Sequence, residues 1–129
     1  MNVALGGTLH QKIHKIPDMM DHREDSTLDL DGQYGFSHKI SITPHGILDQ
    51  ISDDKKPWVN SVHWQGINQL GNGLTVEATS QDGLVESFSV TDSPSFALAV
   101  QWHPEWKVMK TPFYKSIFEK FGDACITQG

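Results

Sequence analysis

Cysteine is almost absent: the 129 residues contain one, Cys125. A single thiol excludes an intramolecular disulfide framework and a cysteine-rich zinc module, and it fits a reducing compartment. Basic residues are also scarce, with 10 Lys and Arg against 16 Asp and Glu for a formal charge of −6. Phosphate capture needs clustered Lys and Arg, so neither nucleic acid nor an anionic membrane surface is an expected partner. Long apolar runs are missing too. Nothing approaches the roughly 20 residues that cross a bilayer, and no basic segment followed by an apolar stretch marks the start of the chain. No internal repeat or low-complexity tract interrupts it. What remains, 37% hydrophobic and 20% charged residues with four Trp, is ordinary for a folded globule. A soluble, cytoplasmic protein of one domain at most is the expectation.

Along the chain, residues 1–7 read as the last turn of a helix running into the stop formed by Gly6 and Gly7. No capping residue or first turn precedes them, so the chain is expected to begin inside an element. Residues 16–31 hold Pro17 and six acids (Asp18, Asp21, Glu24, Asp25, Asp29 and Asp31) without periodicity, which predicts a surface loop. Residues 38–43 alternate polar and apolar side chains as a half-buried strand does, and residues 58–64 form a short strand entering a polar loop. Residues 74–78 and 84–90 flank Ser80-Gln81-Asp82-Gly83, a hairpin signal, because Asp-Gly suits turns with positive φ. Residues 96–100 are continuously apolar, which predicts a strand covered on both faces in the middle of an α/β sheet. Finally Phe113, Ile117, Phe118, Phe121 and Cys125 are spaced for an amphipathic helix over 112–125, with Pro112 in its first turn.

Two constellations invite chemistry. His10 and His14 would share one helical face as zinc ligands do, but the Gly6-Gly7 stop and the lack of flanking Cys or carboxylate argue against it. No metal is expected there. His103-Pro104-Glu105, directly after the apolar strand, pairs the side chain whose proton exchanges most easily near neutral pH with a carboxylate able to fix its tautomer. Pro104 stiffens the turn between them. A base with its orienter is two parts of a nucleophilic triad, and the carboxyl end of a strand is where α/β sheets bind ligands.

Those residues, Val100-Gln101-Trp102-His103-Pro104-Glu105-Trp106, occur with Val59-Asn60-Ser61-Val62-His63-Trp64-Gln65-Gly66 and Asp82-Gly83-Leu84-Val85-Glu86. Together they resemble the class I glutamine amidotransferase superfamily, and within it the gamma-glutamyl-gamma-aminobutyrate hydrolases of the peptidase C26 family. Residues 1–11 and Asp21-His22-Arg23 are similar as well. The resemblance implies a flavodoxin-like α/β fold with a mixed sheet, a β-hairpin and a C-terminal helix. It implies that this chain is a single partial domain, residues 1–129, matching the C-terminal half. The family's Cys nucleophile, on a sharp strand-to-helix elbow, is expected to precede the segment matched by residues 1–7.

By the same resemblance, His103 is the general base and Glu105 its orienter. His63, Trp64 and Gln65 match the loop that holds the backbone end of a glutamyl group. The implied activity is Cys-His-Glu hydrolysis of gamma-glutamyl-gamma-aminobutyrate in polyamine catabolism, with no cofactor and a small-molecule substrate. Cys125, on the apolar stripe near the end of the last helix, is expected to be a packed thiol and not the nucleophile. The alternatives are an inactive half-domain, and a glutaminase subunit of an amidotransferase. A half sheet would expose apolar strand and helix faces, so self-association into a homo-oligomer is expected.

Overall fold

The hairpin predicted from Asp82-Gly83 is the centre of the fold. A computed structural model describes residues 1–128, and Gly129, the final residue of the expected domain, lies outside the described residues. β5 (Leu74–Ser80) and β6 (Val85–Val90) pair antiparallel across a turn in which Gly83 takes φ 86°. A residue bearing Cβ pays roughly 1 kcal/mol or more in that left-handed region, which explains the glycine. Asp82 completes the turn, its carboxylate accepting from the Ser80 hydroxyl and, at 3.2 Å, from the Leu84 amide.

Outward from this hairpin lie β2 (His38–Ile42) and β3 (Trp58–Val59) on one side and β7 (Leu98–Val100) on the other, in the order β3-β2-β5-β6-β7. β1 (Thr8–His10) and β4 (Gly66–Gln69) form a second, two-stranded sheet. The ladders among the described residues are all antiparallel. β2 alternates as expected, with His38, Ile40 and Ile42 buried and Lys39 and Ser41 exposed. At the start of the chain a single 3-10 turn, Val3–Leu5, stops at Gly6 with φ 89°.

Among the described residues three α-helices complete the fold: α1 (Leu30–Gln33), α2 (Ile47–Ile51) and α3 (Pro112–Gln128). α2 is anchored by Glu77 of β5. One oxygen of this buried carboxylate accepts from the Leu48 amide at 3.0 Å and the other from the Ser89 hydroxyl at 2.7 Å. α3 places Tyr114 and Ile117 against Ile40, Ile42, Leu48, Val59, Ala78 and Trp102, and this cluster is the core. Among the described residues no helix is long and apolar enough to cross a membrane.

Three expectations are corrected. The apolar run 96–100 is not a central strand: β7 has β6 as its neighbour and occupies an edge of the sheet, with its residues half-buried. A short apolar run is equally compatible with an edge strand partly roofed by a helix, here through Phe96 against Phe121 of α3 at 6.1 Å. Cys125 is exposed rather than packed. α3 is buried only over its first turns, and Phe118 and Phe121 also face outward, 43% and 54% exposed. Lastly, the polar segment 16–31 is not wholly a surface loop, because His22 is completely buried.

Candidate active site

β7 leads through Gln101 and the buried Trp102 to the turn that carries His103 and Glu105. Nδ1 of His103 lies 2.7 Å from Oε1 of Glu105. An ionised carboxylate only accepts, so the shared proton sits on Nδ1 and Nε2 is left as the basic nitrogen. Both side chains reach solvent, 41% and 60% exposed.

The backbone beneath this pair is clamped. Asn60, fully buried just past β3, donates from Nδ2 to the His103 carbonyl at 3.0 Å, and its Oδ1 accepts from the His103 amide at 2.8 Å. The Asn60 amide in turn donates to the Tyr114 hydroxyl at 3.0 Å, which ties the clamp to α3. Burial pushes the Tyr114 phenol up to about 12, so it stays neutral as that acceptor. From the solvent side Tyr34 sets its ring edge-on to His103, with centroids 5.6 Å apart, and packs on Trp106 at 5.0 Å.

The other expected site residues follow Asn60 on the same loop. Trp64 and Gln65 are exposed, and with Leu9, Gln11, His63 and Gln101 they line an open depression of about 520 Å³. Gln65 donates to Gln11 at 2.5 Å, and Trp64 lies under the Arg23 guanidinium at 5.2 Å. Gln101, two positions before His103, brings the depression next to the turn that carries His103 and Glu105. His63 differs from its neighbours: its side chain turns inward, Nδ1 lying 2.7 Å from the Gln65 carbonyl.

Behind this loop is a buried polar cluster. Oε1 of Glu86 lies 3.4 Å from His22 Nδ1, 3.4 Å from His38 Nε2 and 4.0 Å from His63 Nε2. Burial pushes the Glu86 carboxyl up to about 8, with the Asp82 charge adding to it. Burial likewise lowers His63 to about 4 and lowers His38. Asp82 behaves oppositely. Burial alone would raise it, but hydrogen bonds from Ser80, from His22 and from the Met20 and Leu84 amides bring it to about 2.

The sequence profile of the peptidase C26 family matches residues 1–105, which includes His103, Glu105 and the 61–65 loop. The chain belongs to the peptidase C26 family. Its 44% identity to the gamma-glutamyl-gamma-aminobutyrate hydrolase PuuD of Escherichia coli (strain K12) extends over 124 residues, 95% of this chain and 48% of that protein. A glutamine amidotransferase-like protein of Lactococcus lactis, YvdE, is 36% identical over 126 residues, 98% of this chain and 50% of that one. The chain thus spans about half the length of the curated relatives it matches. A crystal structure from Thermoplasma acidophilum, of a protein assigned to GMP synthase, superposes with a TM-score of 0.68. It covers 98% of this chain and 52% of that one, at 20% identity. The fold is therefore the α/β arrangement of class I glutamine amidotransferases.

For a peptidase C26 chain, two features of this region escape sequence reasoning. Asn60 carries no signal of its own, since the backbone it holds lies 43 positions away. The inward turn of His63 is set by His22, whose carbonyl accepts from the His63 amide at 3.0 Å and the Ser61 hydroxyl at 2.7 Å. One signal did exist. Strand alternation puts His38 on the buried face of β2, alongside Ile40 and Ile42.

Proposed function

We propose that this chain supplies the base and its orienter for hydrolysis of a gamma-glutamyl amide, with gamma-glutamyl-gamma-aminobutyrate as substrate and polyamine catabolism as setting. The observation that carries this reading is the 2.7 Å His103–Glu105 contact, with the His103 side chain partly exposed on a clamped backbone, in a chain 44% identical to a hydrolase of that name. In it, Nε2 of His103 takes the proton of a thiol. The thiolate adds to the amide carbonyl, and collapse of the adduct breaks the C–N bond, leaving a gamma-glutamyl thioester while His103 returns the proton to the departing amine. Water, deprotonated by the same nitrogen, then releases glutamate and the thiol. Glu105 holds the ring and balances the imidazolium.

The thiol comes from outside these 129 residues. Cys125 is exposed near the end of α3, and among the described residues no hydrogen bond joins it to His103. The depression beside the turn takes the backbone end of the glutamyl group. Trp64 and Gln65 face it with their side chains, and His63, turned inward, contributes its main chain.

The test is a chimera in which this chain replaces the matching 124 residues of the E. coli hydrolase. It is expected to release glutamate from gamma-glutamyl-gamma-aminobutyrate and to lose that activity in His103→Ala. A folded chimera without turnover, or turnover indifferent to His103→Ala, overturns the reading. The 129-residue chain by itself is expected to be inactive. Turnover by it that survives Cys125→Ser but not His103→Ala would refute an external nucleophile.

A further inference from the structure

Three histidines from three separate segments aim bare nitrogens at one carboxylate oxygen. Each ring has its other nitrogen committed to an acceptor. His22 Nε2 is 2.7 Å from Asp82 Oδ2, His38 Nδ1 is 3.1 Å from the Lys39 carbonyl, and His63 Nδ1 is 2.7 Å from the Gln65 carbonyl. Acceptors of this kind place the hydrogens on those nitrogens, so His22 Nδ1, His38 Nε2 and His63 Nε2 all present lone pairs. All three face Oε1 of Glu86, itself an acceptor when ionised. The spacings of 3.4, 3.4 and 4.0 Å exceed those of a carboxyl hydrogen bond. Accordingly His38 Nε2, His63 Nε2 and Glu86 Oε1 are buried without a hydrogen-bond partner among the described residues. The Ser61 hydroxyl stands 3.4 Å from His22 Nδ1, but it is spent on the His22 carbonyl.

Converging lone pairs repel each other unless a proton or a metal ion lies between them, and a proton carried by the Glu86 carboxyl satisfies at most one of the three nitrogens. A tetrahedral zinc ion with bonds near 2.0–2.1 Å separates its ligand atoms by about 3.3 Å, and two of the observed separations are 3.4 Å. The ligand atoms of His22, His38 and Glu86 all lie within 4.8 Å of one another. The distal hydrogen bonds to Asp82 and to two backbone carbonyls are those that metal-bound imidazoles make, fixing the tautomer and raising ligand basicity. Nitrogen-rich donors with one carboxylate suit zinc rather than calcium or magnesium, which take oxygen ligands. We propose that His22 Nδ1, His38 Nε2 and Glu86 Oε1 form a buried zinc site with three protein ligands, its fourth position lying on the side of His63, whose Nε2 stands 4.0 Å from the same carboxylate oxygen. It cross-links the 16–31 segment, β2 and β6. This inference does not depend on the reaction.

Equilibrium dialysis of the full chain, prepared without a histidine tag and stripped by chelator, against zinc chloride tests it. One zinc per chain is expected, with affinity in the nanomolar range and a raised melting temperature. Glu86→Gln is expected to abolish uptake and Asp82→Asn to weaken it about 10–100-fold, whereas His10→Ala with His14→Ala leaves it unchanged. A folded chain that takes up no zinc overturns the site, as does uptake that survives Glu86→Gln. Should Glu86→Gln not fold, cobalt added to the unaltered chain decides: intense tetrahedral visible bands support the site, and weak octahedral bands overturn it.

Discussion

Removing the Asn60 side chain separates the backbone clamp from the His103–Glu105 pair it supports. Asn60→Ala deletes two hydrogen bonds, of 3.0 and 2.8 Å, that hold both the carbonyl and the amide of His103. A buried group left unsatisfied costs about 1–3 kcal/mol. The His103 backbone is only partly buried and can recruit some water, so the lower half of that range applies to each, giving roughly 2–4 kcal/mol in total. That is a large share of the roughly 5–15 kcal/mol that holds an ordinary domain. Urea unfolding followed by Trp fluorescence reads the change, Trp102 and Trp106 flanking the site. The midpoint should fall with the slope m unchanged, because the surface exposed on unfolding is the same. Asn60→Asp keeps the acceptor for the His103 amide but aims a carboxylate oxygen at its carbonyl and buries a charge, so it should cost at least as much as alanine. A loss below about 0.5 kcal/mol for Asn60→Ala, the level of an unremarkable surface change, would refute the clamp.

Alkaline pH should weaken the same clamp through Tyr114. Its phenol is raised from 10.0 to about 12 by burial, so the folded state keeps a proton that the unfolded state gives up. Stability is therefore full below pH 10 and falls as pH rises toward 12, by up to about 3 kcal/mol; a stability curve flat over that window, or one that Tyr114→Phe leaves unaltered, contradicts the assignment. Gly46→Ala should be more damaging than Gly83→Ala. A Cβ at Gly46 would stand 2.6 Å from the Glu77 carboxylate that anchors α2, whereas Gly83 has open space and suffers only its φ of 86°. Equal midpoints in thermal melts would count against that ordering. Phe118 and Phe121 on α3, together with the edge of β7, should drive self-association. Light scattering is expected to report an oligomer that Phe118→Lys with Phe121→Lys shifts toward monomer, and a monomeric parent chain would refute it.

How much of this was legible in the sequence depends on how far apart the interacting residues lie. The β5–β6 hairpin, the alternation of β2 and the start of α3 at Pro112 were all readable, because each rests on neighbours within one turn or one strand. The His103–Glu105 pair was readable for the same reason, being two positions apart on a stiff turn. The face that α3 buries was misjudged beyond Ile117, since an apolar stripe states which side of a helix is greasy and not how far along it a partner extends. Asn60 was invisible, its partner lying 43 residues away.

The buried histidines are the sharper case. His22, His38, His63 and Glu86 are separated by 16, 25 and 23 positions, so none of the short spacings that betray a metal motif is present. His22 also sits in a segment whose six acids read as solvated. Yet His38 shares a strand face with Ile40 and Ile42, and a histidine on a core face must find partners for both ring nitrogens. The Lys39 carbonyl accounts for one of them. The other points at Glu86, which occupies a buried position on β6, and from that meeting of β2 and β6 residues the whole cluster follows.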